Sequence, residues 1–388
     1  MDFYNKKILL VIHTGCLGGA ERQGLGISKI LTGDYNCTVN VLLTFSDEMS
    51  SEFENYAKEC GVQNILHFGS PYLIFKREFT YRNLQRLVWS IKYLLKLRKE
   101  LLPYQPDVII PFLNFPSKVS YYLYKLLPSA KFTFWHQLGL DSNSLDIFES
   151  IAVNNIPCVI GNATNCLDMF KTIYKINPKK LNVLPQYVSL EYKKEDKKTL
   201  RSQYEIPQSA TVIGMVAHFR PEKYYELLLD VFEKLTVKHD NIYLVFLGNK
   251  NSTIVTQSKY NYLIEKVKEK GIGSKISILS EVKVEDVLNI LDIGVLVSEI
   301  EGMPNVVMEY MLYGLPVVTT NHPGCIELLK DSLFLIQNDK QELYDSLNQL
   351  ILSESLRKIE GAINIEKIKA YDMPSYIKKL EFIMNKTL

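Results

Sequence analysis

The 388-residue sequence lacks several features that would assign it to common classes of protein. It has six cysteines but no C-x-x-C pair, so the spacing typical of structural zinc sites is missing. Its six histidines show no metal-ligand spacing, and no D-x-D motif is present to hold a nucleotide-bound cation. No apolar run approaches the roughly 18 residues that a membrane-spanning helix needs. The sequence therefore predicts neither a bound metal nor a membrane span.

The sequence also lacks a strong net charge, since the formal value is only +2. Neither half is basic enough to indicate a nucleic-acid partner. Residues 1–190 contain 20 Lys and Arg against 15 Asp and Glu, whereas residues 191–388 contain 25 against 28. We therefore expect the two halves to bind different partners.

The positions of the cysteines and the sequence near the N-terminus both indicate the cellular compartment. The cysteines are scattered, several of them in apolar segments, which predicts free buried thiols in a reducing compartment. The apolar run near the N-terminus covers only Ile8 to Ile12, too short for a signal peptide, and predicts a β-strand instead. We expect a cytoplasmic protein.

Strand-like and helix-like segments alternate along the chain. Strands are predicted at 8–12, 38–45, 107–111, 131–135, 211–217, 243–248, 275–279, 293–297 and 316–320. This alternation is typical of doubly wound parallel sheets, and the charge run at 191–198 predicts an exposed linker or its flank. We predict an α/β protein with two Rossmann-like domains, 1–189 and 190–370, facing each other across a cleft, and a C-terminal helix at 371–388 that packs back on the first domain.

The segment from Ser298 to Glu327, SEIEGMPNVVMEYMLYGLPVVTTNHPGCIE, carries the most functional information. A predicted buried strand ends at Ser298. Pro304 is predicted at the first position of a helix that closes at Gly314. The free amides of the helix N-terminus, at Asn305 and Val306, would bind an anion such as a phosphate.

Two carboxylates, Glu301 and Glu309, lie in the same segment, eight positions apart. Carboxylates repel phosphate, so they are better suited to accept hydrogen bonds from hydroxyl groups. Hydroxyls and phosphates occur together in a nucleotide-sugar, and the segment therefore predicts a nucleotide-sugar site. The alternative is an ordinary βα unit with two solvated carboxylates.

This arrangement resembles the E-x7-E signature of retaining glycosyltransferases with the GT-B fold, particularly glycosyltransferase family 4. The resemblance implies that Glu301 binds the donor sugar and that Glu309 binds the nucleotide ribose. Gly324 and Glu327 match a further G-x-x-E element of that family. The turn residues implied to contact the diphosphate are Gly302, Met303, Asn305 and Val306.

A glycine-rich turn follows the first predicted strand. Gly18 and Gly19 would let the backbone approach a phosphate at the next helix N-terminus. The resembled family has a G-G-x-E-R element here, which Gly18, Gly19, Glu21 and Arg22 match. An NAD site, helped by Asp47 and Glu48, is an alternative, but the spacing G-x-G-x-x-G is absent from this turn.

His136 follows the strand predicted at 131–135 and would therefore face the cleft. The resemblance implies that His136 lies near the donor sugar. The alternative is a structural histidine at a strand end.

The segment 215–223, MVAHFRPEK, follows the first predicted strand of the second half. Breaking a sugar–phosphate bond leaves charge on the diphosphate, so cations must be placed there. The resembled family has an Arg five residues before a Lys. Lys223 matches the Lys, but His218 occupies the Arg position, which is a departure. Either Arg220 supplies the missing cation or His218 does so when protonated, unless this is only a solvated helix start.

Residues 76–99 contain eight Lys and Arg but one acidic residue, interleaved with Phe79, Tyr81, Trp89 and Tyr93. An amphipathic helix is predicted from the three- and four-residue spacing of Leu84, Leu87, Val88, Ile91, Leu94 and Leu95. Such a helix could lie on an anionic membrane surface. The alternative is a helix that packs its apolar face on the core and exposes a basic face to solvent.

The resemblance implies a retaining glycosyltransferase that uses no cofactor and no metal. Its catalytic residues would be Glu301, His136, Lys223 and Arg220. It would move a hexose or N-acetylhexosamine from a nucleotide-sugar, UDP-linked by family frequency, to a polysaccharide, glycolipid or lipid-linked acceptor in surface glycan synthesis. It would work in the cytoplasm, with peripheral attachment to the inner face of the plasma membrane. A nucleotide-sugar epimerase of the same fold and a non-catalytic subunit that activates a partner are the alternatives.

Overall fold

The computed structural model of the chain describes residues 2–45, 48–68, 73–78, 80–140, 144–251 and 253–387. The chain forms two compact units, unit 1 with residues 1–189 and 371–388, and unit 2 with residues 190–370. Asp47 and Phe79, on which two predictions above depend, lie outside the described residues. Within these ranges no helix is long and apolar enough to cross a membrane, and no group of side chains could hold a metal ion.

Unit 1 contains two parallel sheets, ordered β3-β2-β1-β4 and β5-β6-β7. Their strands are β1 (Lys7–Ile12), β2 (Thr38–Leu43), β3 (Asn64–His67), β4 (Val108–Pro111), β5 (Trp135–Gln137), β6 (Val159–Gly161) and β7 (Leu181–Val183). The helices before residue 190 are α1 (Gly19–Gly33), α2 (Ser51–Glu59), α3 (Tyr81–Leu101), α4 (Asn114–Leu126), α5 (Ile147–Asn155) and α6 (Asp168–Thr172). The predictions near β1, β2 and β4 are confirmed, whereas the short strands β3, β6 and β7 were not predicted.

The strand predicted at 131–135 is wrong in its position. Phe132 forms only an isolated parallel bridge with Val108 of β4, and the following residues leave that sheet. The regular strand β5 begins at Trp135, which pairs with Val159 of β6. One apolar run therefore contributes residues to an edge of each sheet. Its composition alone cannot show where the chain leaves one sheet and joins the other.

Unit 2 contains one six-stranded parallel sheet, ordered β10-β9-β8-β11-β12-β13. Its strands are β8 (Thr211–Val216), β9 (Ile242–Leu247), β10 (Ile276–Leu279), β11 (Ile293–Leu296), β12 (Val317–Thr320) and β13 (Leu335–Ile336). The helices are α7 (Lys197–Gln203), α8 (Tyr225–Thr236), α9 (Ile254–Glu269), α10 (Val284–Ile290), α11 (Asn305–Leu312), α12 (Pro323–Leu329), α13 (Lys340–Leu352) and α14 (Glu354–Ile368). Five predicted strands match this sheet, and residues 191–196 are exposed as predicted.

The strand order of unit 2 reverses between β8 and β11. The chain runs outward from β8 through β9 to β10, then returns to pair β11 with the other side of β8. Such a reversal leaves a crevice at the carboxyl ends of the two central strands, because their following segments diverge to opposite sides. Any ligand site of unit 2 is expected there.

The last helix, α15 (Met373–Thr387), belongs to unit 1. Its buried residues recur every three or four positions and join the core formed by β1, β2 and α1. These residues are Tyr376, Ile377, Leu380, Ile383 and Met384.

Candidate functional site

The segments that follow β8 and β11 touch each other in unit 2. Tyr224 donates its backbone N–H to the Val297 carbonyl at 3.0 Å, and Glu299 donates to the Glu222 carbonyl at 2.8 Å. These two hydrogen bonds place Lys223 beside the loop that leads into α11. Residues nearly 80 positions apart in sequence therefore meet at the reversal point of the sheet.

Lys223 and Glu301 form an ion pair between Nζ and Oε1. Their side chains are only 16% and 11% exposed. Because little water surrounds the pair, the attraction between the two charges is screened less than on an open surface. A cation and a carboxylate side by side suit a ligand that carries both phosphate oxygens and hydroxyl groups.

Helix α11 begins at Asn305, one residue later than predicted, because Pro304 is the extended N-cap residue with ψ of 121°. Gly314 follows the helix with φ of +67°, as expected for a residue that ends a helix. The first-turn N–H groups have no partner within the helix and carry the positive end of its dipole. Glu309 lies half-buried on the same helix. The structure thus places Glu301 in the loop before α11 and Glu309 on the helix itself.

Gly324 lets α12 pack directly against the loop before α11. A Cβ atom added to Gly324 would lie 1.9 Å from the carbonyl oxygen of Gly302 and 2.7 Å from Cα of Met303. Any side chain here would force the two segments apart. The glycine of the G-x-x-E element is therefore needed for close packing, whereas Glu327 is exposed.

A second set of contacts, which was not predicted from the sequence, fixes the segment that follows β11. The Ser298 carbonyl accepts hydrogen bonds from Nε2 of His322 at 3.0 Å and from Nδ2 of Asn338 at 2.9 Å. The hydroxyl of Thr320 donates to Oδ1 of Asn338 at 2.8 Å. Asn338 lies 40 positions beyond Ser298, so no local pattern could assign it to the site.

His218 and Arg220, the two candidates for the missing cation, are both exposed to solvent. The His218 side chain reaches solvent, but the surrounding loop displaces part of its water, and this desolvation lowers its pKa. The positive charges of Arg220 and Lys223 lower the pKa further. His218 is therefore neutral at pH 7. Arg220 is half-exposed and lies 3.7 Å from the Glu222 carboxylate, whereas Lys223 forms the ion pair with Glu301.

The glycine turn of unit 1 holds a carboxylate where a phosphate was predicted. Gly18 is the N-cap residue of α1, and Glu21 is buried in the first turn. The Glu21 carboxylate accepts a hydrogen bond from Thr14 Oγ1 at 3.3 Å, and burial raises its pKa. A phosphate at Gly18 and Gly19 would lie next to this carboxylate, because Glu21 Oε2 is only 2.7 Å from the position of a Cβ added to Gly18. The same holds for a dinucleotide.

His136 lies within β5, not after the strand as predicted, and only 1% of it is exposed. Its Nδ1 hydrogen bonds to the Pro111 carbonyl at 2.9 Å, and the rings of Phe112 and Phe134 lie 5.0 and 5.3 Å away. Burial lowers the pKa of His136 to about 4, so the ring is neutral and Nδ1 carries its proton. Nε2 is then an acceptor with no partner among the described residues.

Residues 196–363, which lie within unit 2, match the family model for glycosyl transferases group 1. A glycosyltransferase from Rickettsia africae is similar over 99% of both chains, with 17% identity and a TM-score of 0.77. HepE from Anabaena, solved with UDP-glucose, is similar over 98% of this chain and all of that chain, with 18% identity and a TM-score of 0.76.

The fold is GT-B. Two parallel α/β units of similar size account for it, as predicted. At the sequence level, N-acetyl-α-D-glucosaminyl L-malate synthase from Bacillus anthracis is 26% identical over 174 residues, which is 44% of each chain. The phosphatidylinositol N-acetylglucosaminyltransferase GPI3 subunit of Saccharomyces cerevisiae is 23% identical over 230 residues, 58% of this chain and 47% of the relative. The chain thus spans less than half the length of these two relatives.

Proposed function

We propose that this GT-B protein is a retaining glycosyltransferase. It moves a hexose or N-acetylhexosamine from a UDP-sugar to a polysaccharide, glycolipid or lipid-linked acceptor in surface glycan synthesis. The observation that carries the proposal is the Lys223–Glu301 pair beside the N-terminus of α11, with Glu309 on that helix. Unit 2 binds the donor, and unit 1 binds the acceptor.

The reaction breaks the bond between the anomeric carbon and the diphosphate oxygen. Negative charge develops on the diphosphate, and the Lys223 ammonium and the first-turn N–H groups of α11 stabilise it. Glu301 accepts a hydrogen bond from the sugar, and Glu309 accepts one from the ribose. The acceptor oxygen attacks from the face that the diphosphate leaves, and a phosphate oxygen of the donor takes the acceptor proton. Arg220 serves as a second, more mobile cation.

The ligand and the names of similar proteins support the choice of donor. The HepE structure contains UDP-glucose, and the two sequence relatives carry N-acetylglucosaminyl groups in their names. The carbohydrates differ, but each is a hexose or an N-acetylhexosamine. We extend that class to this chain, with the reaction placed in the cytoplasm.

A donor screen tests the proposal. UDP-, GDP- and ADP-sugars are added separately while thermal unfolding is followed, and a specific donor raises the midpoint because it binds only the folded protein. We expect UDP-sugars to give the largest shift. Absence of a shift with every donor would contradict the proposal. Incubation of the protein with the donor and without an acceptor then tests the epimerase alternative, because an epimerase would convert the sugar under these conditions.

A second candidate is a non-catalytic subunit that binds a nucleotide-sugar and activates a partner. The neutral His218 at the position of the family Arg favours this candidate, since one cation of the diphosphate site is lost. It predicts donor binding without turnover on membrane extracts that contain acceptors. Product formation with retained anomeric configuration, read from proton coupling constants, excludes it.

A further inference from the structure

Unit 2 contains a cavity that the proposed transfer chemistry does not use. Its lining includes Thr211, the first residue of β8, together with Asp292 and Pro316, which directly precede β11 and β12. Because these strands are parallel, their amino ends lie at one edge of the sheet, opposite the carboxyl ends that lead to Lys223 and Glu301. The cavity volume is ≈510 Å³, within the range of about 300–1,000 Å³ that is common for small-molecule sites. The cavity is therefore separate from the donor site and large enough for a small molecule.

Two cations share one carboxylate in this cavity. The Asp292 carboxylate lies 2.7 Å from Lys197 Nζ and 2.8 Å from Nη2 of Arg201. Only 4% of Arg201 is exposed, and its other hydrogen bonds go to backbone carbonyls, which carry no net charge. One of the two positive charges is therefore not balanced by this carboxylate. Because Arg201 is shielded from water, the surplus charge attracts an anion more strongly than a charge on an open surface would.

Arg357 also lines the cavity, and the protein already holds it in position. Its Nη1 donates to the carbonyls of Leu350 at 2.6 Å and Ile351 at 3.1 Å. Its Nε and Nη2 form no hydrogen bond or ion pair with another residue that the structure describes. The N–H groups of Nε and Nη2 point in the same direction, so this side of a guanidinium matches two oxygens of one phosphate. Since the group is fixed before binding, little side-chain freedom is lost when a phosphate binds.

The charged groups of the lining together favour an anion that also carries hydroxyl groups. Five cations and three carboxylates line the cavity, so positive charge is in surplus. The cations are Lys194, Lys197, Arg201, Arg357 and Lys358, and the carboxylates are Glu195, Asp292 and Glu354. Glu195 is exposed, and Glu354 forms an exposed ion pair with Lys358 at 2.7 Å. The surplus of cations suits a phosphate, whereas the two exposed carboxylates can accept hydrogen bonds from hydroxyl groups.

An exposed aromatic ring lies in the same lining. Tyr192 is 54% exposed, and its ring centroid lies 5.0 Å from that of Tyr313, with an interplanar angle of 62°. The Tyr313 hydroxyl group in turn accepts a hydrogen bond from the backbone N–H of Lys193 at 3.3 Å. These contacts hold the Tyr192 ring in place while much of it stays accessible. One side of a sugar ring carries mainly C–H groups, which can pack on such an apolar surface.

We propose that this cavity is a second ligand site of unit 2, which binds a sugar phosphate. Arg357 binds the phosphate, Glu195 and Glu354 accept hydrogen bonds from the sugar hydroxyls, and the sugar ring packs on Tyr192. Inorganic phosphate would use only the cations, whereas a neutral sugar would leave the surplus positive charge without a counter-ion. The inference goes beyond the proposed function, because it depends on neither the donor nor the acceptor.

Titration calorimetry with glucose 6-phosphate, with and without saturating UDP, tests the site. We expect glucose 6-phosphate to bind under both conditions, because UDP occupies the opposite edge of the sheet. Glucose, inorganic phosphate and AMP should each bind at least about tenfold more weakly, since each lacks part of the matching chemistry. The proposal is overturned if glucose 6-phosphate does not bind, if inorganic phosphate or AMP binds as tightly, or if UDP competes with it.

Variants of the lining test where the phosphate binds. Arg357→Gln removes the guanidinium and Arg357→Lys keeps only its charge, so both should weaken glucose 6-phosphate binding about tenfold or more. Lys194→Gln removes an exposed cation of the lining and should weaken binding about threefold. Lys198→Gln is the matched control, because it removes an exposed cation of α7 outside the lining and should bind like wild type. Wild-type affinity in Arg357→Gln would overturn the proposal.

The pair Lys194→Gln and Lys198→Gln keeps the test valid if the Arg357 variants do not fold. Neither lysine side chain forms a hydrogen bond or ion pair with another residue in the described part of the chain, and equal affinities for this pair would contradict the site. UDP binding should be the same for every variant. A protein that binds UDP but no sugar phosphate refutes the second site alone. A protein that binds glucose 6-phosphate but no UDP refutes the proposed transferase function alone.

Discussion

Replacement of Gly324 by alanine tests how the donor site of unit 2 is built. The new Cβ would lie 1.9 Å from the Gly302 oxygen, although contacts below 3.0 Å essentially never occur. The neighbouring atoms are backbone, so α12 and the loop before α11 must separate by about 1 Å, and such a displacement can reduce turnover about 10²-fold. Overpacking of this kind also costs about 1–3 kcal/mol of unfolding free energy.

Calorimetry with UDP, steady-state kinetics and scanning calorimetry measure the three effects of Gly324→Ala. Gly273→Ala is the matched control in the same unit, because its new Cβ would meet only Val267 Cγ1 at 3.8 Å. We expect the control to bind UDP like wild type and Gly324→Ala to bind it more weakly. If both variants bind and react alike, the close contact does not position the site and the reasoning fails.

Four more predictions concern single side chains. Glu309→Gln should weaken UDP binding by about 1–3 kcal/mol in calorimetry, because it weakens charge-assisted hydrogen bonds to the ribose; unchanged affinity would remove Glu309 from the site. Lys223→Ala should lower kcat about 10²-fold and raise the donor KM less, since diphosphate charge is greatest in the transition state; an effect on KM alone would contradict this role. His218→Arg should keep or raise kcat, and a collapse would mean that neutral His218 has its own function. His136 has a lowered folded-state pKa of about 4, so protons bind the unfolded chain first and stability falls as the pH drops from about 6.5 toward 4. Unfolding followed by tryptophan fluorescence reports on unit 1. Between pH 7 and 4.5, His136→Gln should lose about 2–3 kcal/mol less unfolding free energy than wild type. Parallel curves of unfolding free energy against pH for the two proteins would show that His136 does not control this loss.

The central strands of unit 2 could be predicted from sequence because each is an apolar run that must be buried on both faces of a parallel sheet. Four-residue β11 and β12 are examples, both fully buried. The two-residue strand β13 and the half-exposed β3 lack such runs. Their strand conformation comes from pairing with a neighbour, which their composition does not encode.

In unit 1, the sequence does not show which residues of a correctly predicted element are buried. Three- and four-residue spacing correctly predicts that α3 is a helix, but both its buried and its exposed face contain leucines. Spacing gives the helical period and not the direction of the core. For His136, local sequence placed the residue near a strand end, whereas its burial against Phe112 and its hydrogen bond to the Pro111 carbonyl follow from packing with the segment at the end of β4.

The sequence by itself determined the doubly wound α/β class and the segment that contains Glu301 and Glu309, because strand periodicity, helix termini and glycine turns act over a few residues. The GT-B fold was expected only from the resemblance of that segment to a known family. Tertiary structure alone decided which groups interact across longer distances. It pairs Lys223 with Glu301 and joins Ser298 to Asn338. These contacts depend on strand order and on the water removed by packing, which are properties of the folded chain as a whole.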